Sequence, residues 1–180
     1  MKVVIKLGGY VGVAYFVANA VQIGNSFFRS NIDSSVFDKP LDPSKITPDI
    51  ENVLEAYRGN KPSKFLRERT HQNIHFRDPV VISIGQDEMV EAVRAISRIE
   101  PNLLKYTVDG SSVVIHSRYS ALGIKFELTS RLYIDYDADG AITGITEHWN
   151  GMPFFKNPLS TLIRRANGLL AYLIITTILK

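Results

Sequence analysis

Between residues 124 and 136 apolar and polar side chains alternate, Phe126, Leu128, Leu132, Ile134 and Tyr136 against Lys125, Glu127, Thr129, Arg131, Tyr133 and Asp135. That is the period of a half-buried antiparallel strand. Asp137-Ala138-Asp139-Gly140 then marks a turn, and the chain returns through Glu147-His148-Trp149-Asn150-Gly151. The pattern predicts one long curved hairpin, with the rest of the chain covering its apolar face. A second hairpin, residues 103–108 and 113–119, is expected around Asp109-Gly110-Ser111-Ser112, because an Asp-Gly pair favours a tight turn. Residues 120–123 form the turn that joins the two.

Upstream the period changes to that of helices. Thr47 before Pro48, with Glu51 following, sets a helix start, and Ile50, Val53, Leu54 and Tyr57 make its buried stripe. Gly59-Asn60-Lys61 breaks it, and a second short helix begins at Pro62-Ser63 and carries Phe65 and Leu66. Ile74, Phe76 and Asp78 alternate with His75 and Arg77 as a short strand. A third helix opens after Gly85, with Met89, Val90, Val93 and Ile96 on one side. Helices, a short strand, a helix and then a meander describe an α+β layer fold. His71 and His75 stand four apart, but the extended pattern separates them, so no metal pair is expected.

The ends differ from the middle. Residues 3–21 are apolar apart from Lys6 and Asn19, a pattern consistent with a membrane-associated segment, a cleaved signal or a packed extension. Residues 25–47 turn to Ser, Asn, Asp and Pro and read as a linker. Residues 169–179 are again apolar, too short to span a bilayer. As a helix they would lie at a membrane surface with Arg164 and Arg165 at the headgroups, or pack on the N-terminal segment. Consecutive β-branched residues, Ile174 to Ile178, argue against a helix there. The expected division is an N-terminal segment 1–24, a linker 25–47, a domain 48–153 and a tail 154–180. Membrane-associated and cytoplasmic locations both fit it better than secretion does.

The 180 residues suffice for one domain with a sizeable core. A formal net charge of +3 and no basic run give no footing for nucleic-acid binding. The absence of cysteine excludes a disulfide framework, a zinc finger or a thiol nucleophile. No cofactor is expected.

Phe76-Arg77-Asp78-Pro79, Gly85-Gln86-Asp87-Glu88-Met89 at a helix start, Asp139-Gly140-Ala141-Ile142 and Glu147-His148-Trp149-Asn150-Gly151 occur in that order. Over residues 48–153 the chain thereby resembles the nuclear transport factor 2-like superfamily, in its SnoaL-like (polyketide-cyclase-like) branch. The resemblance implies an α+β cone, a curved antiparallel sheet around helices with a pocket in its concave face. Members include isomerases, dehydratases, cyclases, epoxide hydrolases and non-catalytic binding or association modules, so the fold does not select a function. Related sequences often carry Asp two positions before the Trp. Glu147 keeps the carboxylate and lengthens its reach.

Register decides which way Glu147 points, since a slip of one residue reverses every side chain. With a loop of residues 137–140, Leu132 opposes Ile145, Ser130 opposes Glu147 and Leu128 opposes Trp149, and the apolar faces unite. With a loop of residues 138–140, Arg131 opposes Glu147 in a surface ion pair. The same reckoning places Ser117 beside Phe126 and Ile115 beside Leu128, with His116 and Arg118 on the other face. Glu147 is the candidate catalytic group, and Tyr57, Ser117, Leu128, Ser130, Leu132, Ile145 and Trp149 are the candidate pocket residues, in a wall that Phe126 and Tyr136 extend. Asp78, before a proline, is expected to accept backbone hydrogen bonds.

Three functions remain open. A small apolar ligand bound in the cone, without catalysis, is the first. An isomerase, cyclase or dehydratase with Glu147 as general acid or base is the second. The third is a homodimer formed through the outward sheet face at Arg131, Tyr133 and His116.

Overall fold

A computed structural model describes residues 21, 24, 30–38, 42–60, 63–98, 100–121 and 124–177. Thr47 is extended, and its Oγ1 accepts a hydrogen bond from the Ile50 amide at 3.2 Å, which with Pro48 starts helix α1 (Pro48–Tyr57). Gly59, at φ 83°, takes the left-handed conformation that ends it. Helix α2 (Ser63–Arg69) runs directly into strand β1 (Thr70–Arg77). At the end of β1, Asp78 Oδ1 accepts hydrogen bonds from the amides of Val80, at 2.6 Å, and Val81. That turn leads into β2 (Ile82–Ile84), and helix α3 (Gln86–Arg98) follows. The meander is β3 (Asn102–Asp109), β4 (Ser112–Ala121), β5 (Ile124–Tyr136) and β6 (Ile142–Trp149). Helix α4 (Pro158–Thr177) starts at Asn157, whose Oδ1 accepts from the Ser160 amide at 2.8 Å.

The strands form one curved sheet in the order β2-β1-β6-β5-β4-β3. The α+β expectation holds, with one difference: β1 and β6 run parallel, so the sheet is mixed rather than wholly antiparallel. That pairing joins strands more than sixty residues apart, and nothing local in the sequence encodes it.

Registers differ from both expected arrangements. Leu132 faces Glu147, Ser130 faces Trp149 and Ile134 faces Ile145, two residues from the register that united the apolar faces. The cause is the turn. Asp137 Oδ1 accepts from the amides of Asp139, at 3.0 Å, and Ala141, at 2.8 Å, so the loop takes five residues. A bulge then places Tyr136 opposite Ile142 but Asp135 opposite Gly144. A slip of two keeps every side chain on its own face, so Glu147 still points inward. Between β4 and β5 a tighter turn pairs Ala121 with Ile124, so that Ser117 faces Leu128 rather than Phe126, and Ile115 faces Ser130.

The core fills the concave side. Leu54, Ile74, Ile115, Leu132 and Ile142 are fully buried there, with Phe76, Met89, Val90, Val93 and Ile145 packed among them. Part of the stretch read as a linker lies against the domain. Val36 is buried, the Asn31 amide donates to the Asn150 carbonyl at 2.8 Å, and Phe37 sits edge-on to His116 at 6.3 Å on the outer sheet face.

The expectations for residues 3–20 fall outside the described residues. Helix α4 continues through Thr177 despite its β-branched residues, and it packs on β2 and α3. Arg164 and Arg165 do not stand at an outer surface as headgroup anchors; both turn toward the domain. Leu159, Leu162, Leu169 and Leu170 face outward instead. Among the described residues no helix is long and apolar enough to cross a membrane.

Candidate functional site

Alternation along β6 sends Ile145 and Glu147 into the cone and Thr146 and His148 out of it. Inside, β5 contributes Leu128, Ser130 and Leu132, β4 contributes Ile115 and Ser117, and the last turn of α1 brings Tyr57 to the same place. Tyr57 Oη donates to Glu147 Oε2 at 2.8 Å, and each residue is only 3% exposed.

Burial raises the Glu147 pKa to about 7, and the nearby Asp78 carboxylate adds to the rise. Ser130, Tyr57 and Trp149 act in the opposite direction and do not overcome it. Glu147 at neutral pH is therefore close to the balance between a hydrogen-bond donor and an acceptor. Burial also lifts the Asp78 pKa to about 6, restrained by the Val81 and Val80 amides. The phenols of Tyr57 and Tyr119 are pushed above their ordinary value by burial and then by the Glu147 charge, so both stay protonated. Ser117 and Ser130 are buried beside these groups and oppose the effect of burial, Ser117 on Tyr119 and Ser130 on Glu147. A polar cluster thus stands in an otherwise apolar interior.

Of the residues singled out from sequence, Glu147, Tyr57, Ser117, Leu128, Ser130, Leu132 and Ile145 are all buried on the concave side. Trp149 is half-buried at the edge of the cluster. Tyr136 is not part of the wall: beyond the bulge it emerges 45% exposed. Phe126 is half-buried and stacks on Tyr119 at 5.3 Å. The surface pairing of Arg131 with Glu147 does not form, because Arg131 bonds Asp109 at 2.8 Å and Ser112 Oγ at 2.8 Å. Sequence reasoning missed Tyr119, which shares a strand face with Ser117 two positions away. It also missed that Asp78, besides closing its turn, bears on Glu147. His71 and His75 lie on extended β1, and no group of three or more potential ligands gathers for a metal among the described residues.

The interior adjoining Tyr57, Phe76, Met89 and Ile145 leaves a void of about 20 Å³, the space of a single water. An open pocket for an organic ligand was expected; in this conformation side chains occupy most of that space.

No family model matches the chain, and no curated protein is significantly similar to it. Solved structures are. An uncharacterised bacterial protein with a cystatin-like fold from Silicibacter pomeroyi is 12% identical, with a TM-score of 0.46, covering 73% of this chain and 88% of its own. A putative isomerase of the SnoaL-like family from Agrobacterium tumefaciens is 14% identical, with a TM-score of 0.43, covering 56% of this chain and 93% of its own. A hypothetical protein with a ketosteroid isomerase-like fold from Catenulispora acidiphila is 14% identical, with a TM-score of 0.44, covering 60% and 96% respectively. The SnoaL-like family of the second is the branch that the sequence motifs indicated, and other similar solved structures are described as nuclear transport factor 2-like proteins of unknown function. Nothing about function is carried across from them.

Proposed function

We propose that the domain binds a small, mainly apolar molecule bearing a carbonyl or hydroxyl oxygen, received at Tyr57 and Glu147 inside the cone. The observation that carries this reading is the buried Glu147 carboxyl with Tyr57 Oη at 2.8 Å in an apolar core. An ionised carboxylate at that depth weakens the fold, and an apolar side chain of similar size would not. Recognition of a ligand oxygen is the use that offsets this. Ligands larger than a water must displace side chains, and Met89, which lines the void, is unbranched and readily repacked.

A second reading follows from the Glu147 pKa of about 7. The ionised carboxylate takes a proton from the carbon beside a ligand carbonyl, the C–H electrons pass to the carbonyl oxygen as an enolate, and the same proton returns to another carbon. Cyclohex-2-enone serves as a probe of both readings. Saturable binding by NMR, weakened at least tenfold in Glu147→Gln and Tyr57→Phe, is expected; no saturation would overturn the ligand reading. Exchange of its ring protons in D2O at one rate in wild type and Glu147→Gln would remove the catalytic reading alone.

The outward leucines of α4 further support a contact between this tail and a lipid surface. Flotation with neutral phosphatidylcholine vesicles tests it, and equal recovery of wild type and a Leu159→Lys/Leu162→Lys variant with the vesicles would overturn it.

A further inference from the structure

On the opposite side of the sheet from Glu147 lies an open groove of about 790 Å³, roofed by the first turns of α4. Its floor is the outer face of β1, β6 and β5, where Arg77 stands beside Thr146 and Thr146 beside Tyr133. In the next row His75 stands beside Gly144 and Gly144 beside Asp135. A Cβ at Gly144 would come within 2.9 Å of Asp135 Oδ2, so the Asp135 carboxylate lies directly over the bare backbone there. The far wall is Phe154, Lys156, Arg164 and Arg165.

The roof is firmly seated. Arg164 Nε donates to the Asp78 carbonyl at 2.7 Å and Asn167 Nδ2 to the Val80 carbonyl at 2.7 Å. A Cβ on Gly168 would fall 2.1 Å from the Ile82 carbonyl oxygen, so helix and strand touch through backbone. The groove is accordingly a built cavity of the size that holds a small organic molecule.

Its charge is one-sided. Arg77, Lys156, Arg164 and Arg165 border it, four cations against the carboxylates of Asp135, of Glu88, which pairs with Arg165, and of Asp78, whose charge acts on Arg164. Of the four, Arg77 and Lys156 are exposed. Among the described residues, Arg77, Lys156 and Arg164 have no ion-pair partner. Arg164 is only 2% exposed, lies 3.6 Å over the Phe154 ring, and has its Nη2 buried without a hydrogen-bond partner. The Asp78 carbonyl and the charge of the Asp78 carboxylate compensate this guanidinium in part, and Nη2 is left without a hydrogen-bond acceptor.

We propose that this groove binds a phosphate monoester with an apolar or aromatic body. The phosphate dianion matches the two exposed cations without an ion pair, Arg77 and Lys156, the guanidinium suits its oxygens, and Phe154, Tyr133, Ile82 and Ile84 receive the apolar part. A monocarboxylate would leave one charge unmatched. The two histidines of the groove respond to the same field. His148 has its pKa lowered by burial and by Lys156, Arg164 and Arg131, with Tyr133 and Phe154 edge-on to its ring. His75 has its own lowered by burial, Arg77 and Arg165. A bound dianion reverses those fields and returns both imidazoles toward protonation.

The site is separate from the interior of the cone and stands or falls without it. Full-length protein titrated with phenyl phosphate, and in parallel with inorganic phosphate, is followed through the His75 and His148 ring signals. Saturable shifts are expected, with phenyl phosphate at least tenfold tighter and both histidine titrations moved to higher pH when bound. Arg77→Ala/Lys156→Ala replaces two exposed residues, keeps the fold, and should lose at least tenfold in affinity, whereas Glu147→Gln should lose none. The phosphate could instead belong to a lipid headgroup. Sedimentation with phosphatidic acid vesicles over neutral ones, abolished by the double substitution, would assign that source; binding of phenyl phosphate without it assigns a soluble one. Absence of saturation in both arms, or affinity unchanged by the double substitution, overturns the proposal.

Discussion

Residues 145 to 148 divide the molecule in two. Ile145 and Glu147 face an interior with room for one water, where a carboxyl is driven toward its neutral form by burial. Thr146 and His148 face a wide groove where imidazoles are driven toward theirs by burial first and then by surrounding cations. Burial favours the uncharged form in both regions, and charges of opposite sign add to it, the Asp78 carboxylate inside and the cations of the groove outside. Hydration is lost in both places, and what differs is the sign of the charge that adds to that loss. One strand thus presents two different electrostatic environments by the alternation of its side chains.

The sharpest way to break the comparison is to substitute neighbours on the two faces. Ile145→Ala empties part of a close-packed core and is expected to cost about 2–5 kcal/mol in urea unfolding. Thr146→Ala, one residue on, should cost below about 1 kcal/mol. Equal losses would mean that the two faces are not distinct environments.

Next in size is Glu147→Gln. With the Glu147 pKa raised to about 7 in the folded state, the native protein holds an extra proton between the ordinary carboxyl range and neutrality. Stability from this group is full below the unfolded pKa and is lost as pH rises through the folded one. The variant should therefore match wild type near pH 4 and exceed it above pH 8 by about 1–3 kcal/mol. A variant less stable than wild type at pH 8 would show that the Tyr57 bond outweighs burial.

Gly168→Ala tests the groove's roof. Alanine favours a helix interior over glycine by about 1 kcal/mol, yet its Cβ would meet the Ile82 carbonyl at 2.1 Å. Backbone contact cannot yield cheaply, so a net loss of about 1–2 kcal/mol is expected, with weaker phenyl phosphate binding. A gain in thermal midpoint would mean that α4 is not seated on β2. The smallest effect belongs to Arg77→Ala/Lys156→Ala, whose stability should stay within about 0.5 kcal/mol of wild type while the histidine titrations move.

The parts legible in the sequence were those encoded locally. Thr47-Pro48 announced α1, the alternation over 124–136 announced β5, and the parity of side chains put Glu147 inside. What failed was counting across turns: a five-residue loop held by Asp137 and the bulge near Gly144 each shift the pairing, and neither leaves a mark in the hydrophobic pattern. The parallel partnership of β1 and β6 is long-range, as is the meeting of Tyr57 with Glu147, ninety residues away. The groove was invisible for the same reason. Its residues come from four strands, a loop and a helix, and Arg164-Arg165 read alone resembled a lipid anchor rather than a wall.

Strand β2 lies at an end of the sheet, and such a strand ordinarily offers unpaired amides and carbonyls to any other extended chain. Here one carbonyl and one amide of that edge are taken. Arg165 Nη1 donates to the Ile82 carbonyl at 3.3 Å, and the Ile84 amide donates to Glu88 Oε2 at 2.9 Å. Because the same arginine and glutamate bind each other, one ion pair occupies both backbone positions. Helices α3, through Glu88, and α4, through Arg165, therefore guard this edge together against self-templated aggregation. A chain cut before Pro158 would keep Glu88 and lose the covering helix, so that fibrous association on storage, read by thioflavin fluorescence, is expected to exceed that of the full chain.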